Sequence, residues 1–130
     1  MQPEFLDIDD IIEVQQHLIE TYGGEPGLRD PGLLQSAMAM PQAAFGGQFL
    51  HEDLYLMAAA YLFHIVKNHP FVDGNKRAGT AAAIAFLDIN DVQVQADQDA
   101  LAAFVVEVAE STHAKAAIAD FLRRHSAPSK

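Results

Sequence analysis

Apolar positions along this chain recur with the spacing of helices, and each recurring stretch lies between residues that start or stop one. Ile8, Ile11, Ile12, Gln15, Leu18, Ile19 and Tyr22 fall on one face of a first helix, which Gly23-Gly24 ends. Asp30 followed by Pro31 is an N-cap with proline at the first helical position. It predicts a second helix to about Met40, where Pro41 stops it. Asp53 caps a third helix through Val66. That stretch is apolar on nearly every face (Leu54, Leu56, Met57, Ala58, Ala59, Ala60, Leu62, Phe63, Ile65), so the helix is predicted to be central. A second central helix, rich in alanine, reaches Leu87. Asp97 or Asp99 caps a fifth helix to about Glu110, and a sixth runs from Ala114 to Arg124. Residues 41–50, with Gly46-Gly47 between Phe45 and Phe49, read as an exposed loop, and Ser126 to Lys130 as a frayed tail.

The fold class predicted from this pattern is all-α: a compact bundle of about six helices forming a single domain over residues 1–130. A chain of 130 residues, half of them apolar, can bury a real core and is too apolar for disorder. Without cysteine, neither a disulfide framework nor a thiolate metal site is possible. No charge-free stretch approaches a membrane span, so a cytoplasmic protein without a membrane partner is expected. The net charge of −10 argues against direct binding of nucleic acid.

The distribution of that charge changes the picture. Between Arg29 and Lys115 the only basic residues are Lys67, Lys76 and Arg77, all at or beside the run His69-Pro70-Phe71-Val72-Asp73-Gly74-Asn75-Lys76-Arg77. An acidic chain that gathers its central cations at a helix start has the makings of an anion site. Gly74 permits a tight turn and a close approach to a ligand. The first helical amides and the helix dipole favour phosphate, Asn75 can donate further hydrogen bonds, and the Arg77 fork matches phosphate oxygens. Asp73 can hold a Mg²⁺ shared with phosphates. His69, in the loop before the helix, can accept a proton from an attacking hydroxyl. Pro70 stiffens the loop and Phe71 anchors it. The blander reading is an Asp-Gly turn with solvated cations, but two cations at an electropositive helix end cost roughly a few tenths of a kcal/mol each without an anion. The alanine-rich helices on either side would hold the loop rigidly.

The other histidines carry less. His64 lies among apolar neighbours and reads as a core residue. His51 fits either a loop bordering the site or the plain surface. His17, His113 and His125 show no metal-ligand spacing with one another, which disfavours a zinc or di-metal hydrolase.

The nine-residue run resembles the signature of the Fic/Doc family, His-Pro-Phe-x-(Asp/Glu)-Gly-Asn-Gly-Arg-x-x-Arg. Lys76 replaces the Gly and Thr80 the second Arg, and both departures resemble the Doc (death-on-curing) branch, whereas Pro70 and Gly74 are the Fic-like choices. Tyr22-Gly23-Gly24, Asp30-Pro31-Gly32-Leu33-Leu34 and Lys67-Asn68-His69 resemble that branch too, so the similarity spans nearly the whole chain.

The resemblance implies a helical Fic/Doc fold and an enzyme using ATP and Mg²⁺. His69 would be the catalytic base, Asp73 the metal ligand, and Gly74, Asn75, Lys76 and Arg77 the phosphate-binding residues. It also makes residues 41–50, with Phe45, Gly46, Gly47 and Phe49, the flap that lays a target segment alongside as an added strand. In the Doc branch the γ-phosphate passes to a hydroxyl of elongation factor Tu and translation stops. Fic enzymes with the Gly and the second Arg mostly transfer AMP, which remains the alternative, beside a non-catalytic anion-binding module. The pattern of an internal inhibitory helix is broken here, since Thr21-x-x-x-Glu25 is followed by Pro26 and interrupted by Gly23-Gly24. A separate antitoxin protein is therefore the expected inhibitor.

Overall fold

The computed structural model describes residues 2–109 and 115–129. The helices are α1 (Ile8–Tyr22), α2 (Pro31–Ala39), α3 (Leu54–Asn68), α4 (Asn75–Ile89), α5 (Gln98–Ala109) and α6 (Lys115–Arg124). The predicted end of the fifth helix at Glu110, the start of the sixth at Ala114, and His113 lie outside the described residues.

Local chemistry accounts for most boundaries. Asp30 Oδ1 accepts from the Leu33 amide at 3.0 Å, and Asp53 Oδ1 from Leu56 at 2.8 Å. Of the two candidates for α5, Asp97 is the cap: its Oδ2 accepts from the Ala100 amide at 3.0 Å. Pro41 ends α2 in a single 3-10 turn, Met40–Gln42.

The core forms around α3 and α4, as their composition predicts. Met57, Tyr61, Leu62 and Ile65 of α3 and Ala78, Ala82, Phe86 and Leu87 of α4 are all buried. The two helices approach closely at Gly79, where a Cβ would stand 3.2 Å from the Leu62 carbonyl oxygen, so a side chain there would require the α3 backbone to give by a few tenths of an ångström. Tyr61 is enclosed and its hydroxyl accepts from the Leu6 amide at 2.9 Å. Burial pushes its pKa up to about 12.

Three expectations need correction. First, α3 ends at Asn68, two residues beyond Val66. Second, residues 41–50 hold a small antiparallel hairpin, β1 (Ala44–Phe45) with β2 (Gln48–Phe49), turning at Gly46-Gly47. Phe45 is 83% exposed, while Phe49 packs against Phe5 with ring centres 5.7 Å apart. Third, the tail is not frayed over Ser126–Pro128. These residues form β4, antiparallel to β3 (Val92–Val94), in the register Val92↔Pro128, Gln93↔Ala127 and Val94↔Ser126. Val92 of β3 is buried in the core, and Ser129 N–H donates to the Asp91 carbonyl at 2.9 Å beyond the paired strands. A polar tail showed no apolar signal of its own; its order comes from the partner strand.

Candidate active site

The signature loop joins the C-terminus of α3 to the N-terminus of α4. His69 closes α3 in the left-handed conformation (φ 52°, ψ 54°), with its amide donating to the Ile65 carbonyl at 3.1 Å. Pro70 and Phe71 turn inward and are buried, and His69 itself is exposed. Phe71 is 1% exposed, which bears out its role as the loop's anchor.

Asn75 closes this loop from below. Its Oδ1 accepts from the Phe71 amide and its Nδ2 donates to the Phe71 carbonyl, both at 3.0 Å, in a site where Asn75 is 6% exposed. Both ends of the carboxamide expected to face phosphate are thus engaged with backbone. Asp73 points outward: Oδ1 accepts from the Gly74 amide at 2.8 Å and Oδ2 from the Glu25 amide at 3.2 Å. These bonds orient the carboxylate and leave further lone pairs facing solvent. Among the described residues no three His, Cys, Asp or Glu side chains gather as a metal set. Asp73, the one carboxylate of the loop, is the residue that could hold a cation such as Mg²⁺.

Lys76 and Arg77 are exposed in the first turn of α4, where the opening amides lack intrahelical acceptors and no acidic side chain competes. The Arg77 guanidinium stacks on the Tyr22 ring, 4.5 Å from its centre, and is thereby held between the end of α1 and the start of α4. Thr80 Oγ1 donates to the Lys76 carbonyl at 2.8 Å, so its hydroxyl serves its own helix.

His69, Asp73, Gly74, Asn75, Lys76, Arg77 and Thr80 line one groove of about 1040 Å³. Its far wall is apolar, built by Ile84 of α4 and Leu101, Val105 and Val106 of α5. This is room enough for a nucleotide-sized ligand, with polar groups concentrated at one end. A smaller groove between α1 and α4, about 580 Å³, contains none of the signature residues. Phe45, Gly46, Gly47 and Phe49 sit in the β1–β2 hairpin and do not line the larger groove.

Residues that sequence reading passed over hold the loop. The segment between α1 and α2 runs antiparallel to it: Val72 N–H donates to the Gly27 carbonyl at 3.0 Å, and the amides of Arg29 and Asp30 donate to the Pro70 carbonyl at 2.7 and 3.0 Å. Gln15, 1% exposed within the apolar face of α1, donates from Nε2 to the Asp73 carbonyl at 3.1 Å. A polar residue on an apolar helix face was the available signal. Gly24 has φ 118°, and a Cβ there would stand 2.6 Å from Asp73 Oδ2, so a side chain would displace the carboxylate.

His51 and His64 belong elsewhere. Both Nε2 atoms lie 3.0 Å from Lys115 Nζ at the start of α6. Burial, then the Lys115 charge, lowers the pKa of both, that of His64 to about 4. His64 is half-buried, so it belongs to this polar cluster and not to the core proper.

The chain has relatives among known proteins. Residues 5–87 match the model of the Fic/DOC family. The chain is 45% identical over 96 residues to "Toxin Doc" of Mycolicibacterium smegmatis (strain ATCC 700084 / mc(2)155), covering 74% of this chain and 72% of that protein. It is 34% identical over 116 residues to "Protein kinase doc" of Escherichia phage P1, covering 89% of this chain and 90% of the relative.

Proposed function

The chain belongs to the Fic/DOC family, and on that premise we propose that it is a Doc-like toxin that transfers the γ-phosphate of ATP to a hydroxyl of a target protein. By the resemblance of its signature the target is elongation factor Tu and the consequence arrested translation. The observation that carries the reading is the convergence of His69, Asp73, Lys76, Arg77 and the first turn of α4 on one groove.

His69 takes the proton of the attacking hydroxyl. The hydroxyl oxygen forms a bond to the γ-phosphorus while the bond to the bridging oxygen breaks, releasing ADP. Asp73 would hold Mg²⁺, which supplies charge neutralisation at the phosphates. Lys76, Arg77 and the opening amides of α4 carry the remaining negative charge. Thr80, whose hydroxyl bonds its own helix, offers no counterpart to the second Arg of AMP-transferring relatives, and Lys76 adds bulk and charge where those have Gly. Both features favour γ-phosphate over AMP transfer.

The hairpin at residues 44–49, with Phe45 exposed, presents an edge to which an extended target segment can add. Inhibition falls to a separate antitoxin protein, in keeping with the toxin name of one relative. Among the described residues no helix is long and apolar enough to cross a membrane.

The test is incubation with desalted bacterial lysate and ATP labelled on either phosphate. Label from the γ-phosphate should reach protein and label from the α-phosphate should not, and His69→Ala should lower transfer about 10²–10⁴-fold. Transfer of α-label would identify an AMP transferase instead. Transfer of neither would leave an anion-binding module.

A further inference from the structure

Arg29 reaches the active site from the segment before α2. Its Nε donates to the His69 carbonyl at 2.7 Å and its Nη2 to the Asn68 carbonyl at 3.1 Å. These are the last carbonyls of α3, which have no intrahelical donor and lie at the negative end of the helix dipole. A guanidinium fork suits them in charge and in number.

The conformation of His69 makes this more than a helix cap. His69 holds φ 52°, although it carries a side chain and precedes Pro70. Left-handed backbone is unfavourable for a residue with a Cβ, and a following proline pushes its predecessor towards extended backbone. Such a conformation persists only where its surroundings over-determine it. Here they do. The His69 amide is held by Ile65, the His69 carbonyl by Arg29 Nε, and the Pro70 carbonyl by the amides of Arg29 and Asp30. Asn68, next to it, is tied to α2 by its Nδ2 donating to the Leu33 carbonyl at 3.0 Å. With the peptide planes on both sides of His69 pinned, the direction of its Cα–Cβ bond is set. Arg29 supplies the side-chain part of that restraint.

We propose that Arg29 is a positioning residue that holds His69 in its left-handed conformation and thereby aims the imidazole into the groove. The proposal rests on the reading of His69 as the base. Without Arg29 the backbone would relax towards extended geometry and carry the ring away from the attacking hydroxyl. The phosphate-binding groups are on α4 and would stay where they are. The expected signature is therefore a loss in turnover without a loss in ATP affinity.

The experiment measures label transfer to lysate protein from γ- and α-labelled ATP in parallel, together with KM for ATP and the urea midpoint. The variants are Arg29→Ala, Arg29→Lys, His69→Ala and the double variant Arg29→Ala/His69→Ala. Misplacement of a reacting group by about 1 Å costs on the order of 10²-fold in rate, which sets the loss expected for Arg29→Ala at unchanged KM. Arg29→Lys keeps a cation at the helix end but cannot reach both carbonyls, so it should retain the fold and fall between the two. In the His69→Ala background, followed at higher enzyme concentration, Arg29→Ala should cause no further loss, because Arg29 acts through His69. A full rate in both Arg29 variants alongside an impaired His69→Ala would overturn the positioning role alone. Equal losses with and without His69, or a rise in KM that accounts for the whole effect, would reduce Arg29 to a cap on α3. A full rate in His69→Ala would overturn the base assignment and the positioning role with it.

Discussion

Replacing Asn75 with alanine tests whether this residue serves the ligand or the loop. The antiparallel pairing of residues 27–29 with 70–72 uses the amide of Val72 and the carbonyl of Pro70, so the N–H and C=O of Phe71 face the other way, into the protein. The Asn75 carboxamide meets both at 3.0 Å. Phe71 is 1% exposed and Asn75 6%, so water has little access to the groups the substitution would strand. A buried backbone group left unpaired costs about 1–3 kcal/mol, and the pair together about 2–5 kcal/mol, since the two bonds share one side chain and are not independent. Against a stability of about 5–15 kcal/mol for a domain this is a large fraction. It should lower the urea midpoint clearly and the melting temperature by roughly 10 °C. Asn75→Asp separates hydrogen bonding from shape. One carboxylate oxygen still accepts from the Phe71 amide, while the other opposes the Phe71 carbonyl unless it is protonated. Its stability deficit should be large at neutral pH and shrink in acid. Urea denaturation at two pH values, with ATP binding measured calorimetrically, reads both effects. A stability change within about 0.5 kcal/mol accompanied by loss of ATP binding would refute the reasoning and make Asn75 a phosphate ligand.

The His51–Lys115–His64 cluster predicts acid sensitivity. Both histidines have pKa values lowered in the folded state, so the unfolded chain binds more protons and stability should fall as pH drops from about 6.5 towards about 4, with His64→Gln flattening that fall in urea titrations. Truncation after His125 removes β4 and its hydrogen-bonded pairing with β3; thermal denaturation should show a loss of about 1–3 kcal/mol, and no loss would restore the reading of a frayed tail. Phe45→Ala should leave stability within about 0.5 kcal/mol because the ring is already exposed, yet weaken transfer to the protein target, as an assay at limiting target concentration would reveal.

What the amino-acid sequence determined by itself is what local chemistry can decide. Asp30-Pro31 and Asp53 cap their helices through side chains that reach amides three residues away, so those starts were readable without a tertiary context, whereas the choice of Asp97 over Asp99 for α5 was made by the structure. The apolar density of α3 and α4 placed them in the core for the same reason. The residue types of the candidate site were readable as well: a histidine, a carboxylate and two cations around a helix start are the set on which the proposed phosphate chemistry rests.

The tertiary structure decided which partners those residues take. Val92–Val94 are too few to announce a strand, and their partner lies more than thirty positions on, at Ser126–Pro128. The two further residues of α3, Lys67 and Asn68, lead into a left-handed His69 whose carbonyl accepts from Arg29, 40 residues upstream. Gln15 reaches Asp73 across 58 residues. Whether the Asn75 amide faces a ligand or Phe71 turns on how the loop closes over it. Such bonds join residues brought together only when the helices pack. Periodicity and capping are properties of neighbours in sequence, and they carry no information about which distant carbonyl a side chain will meet.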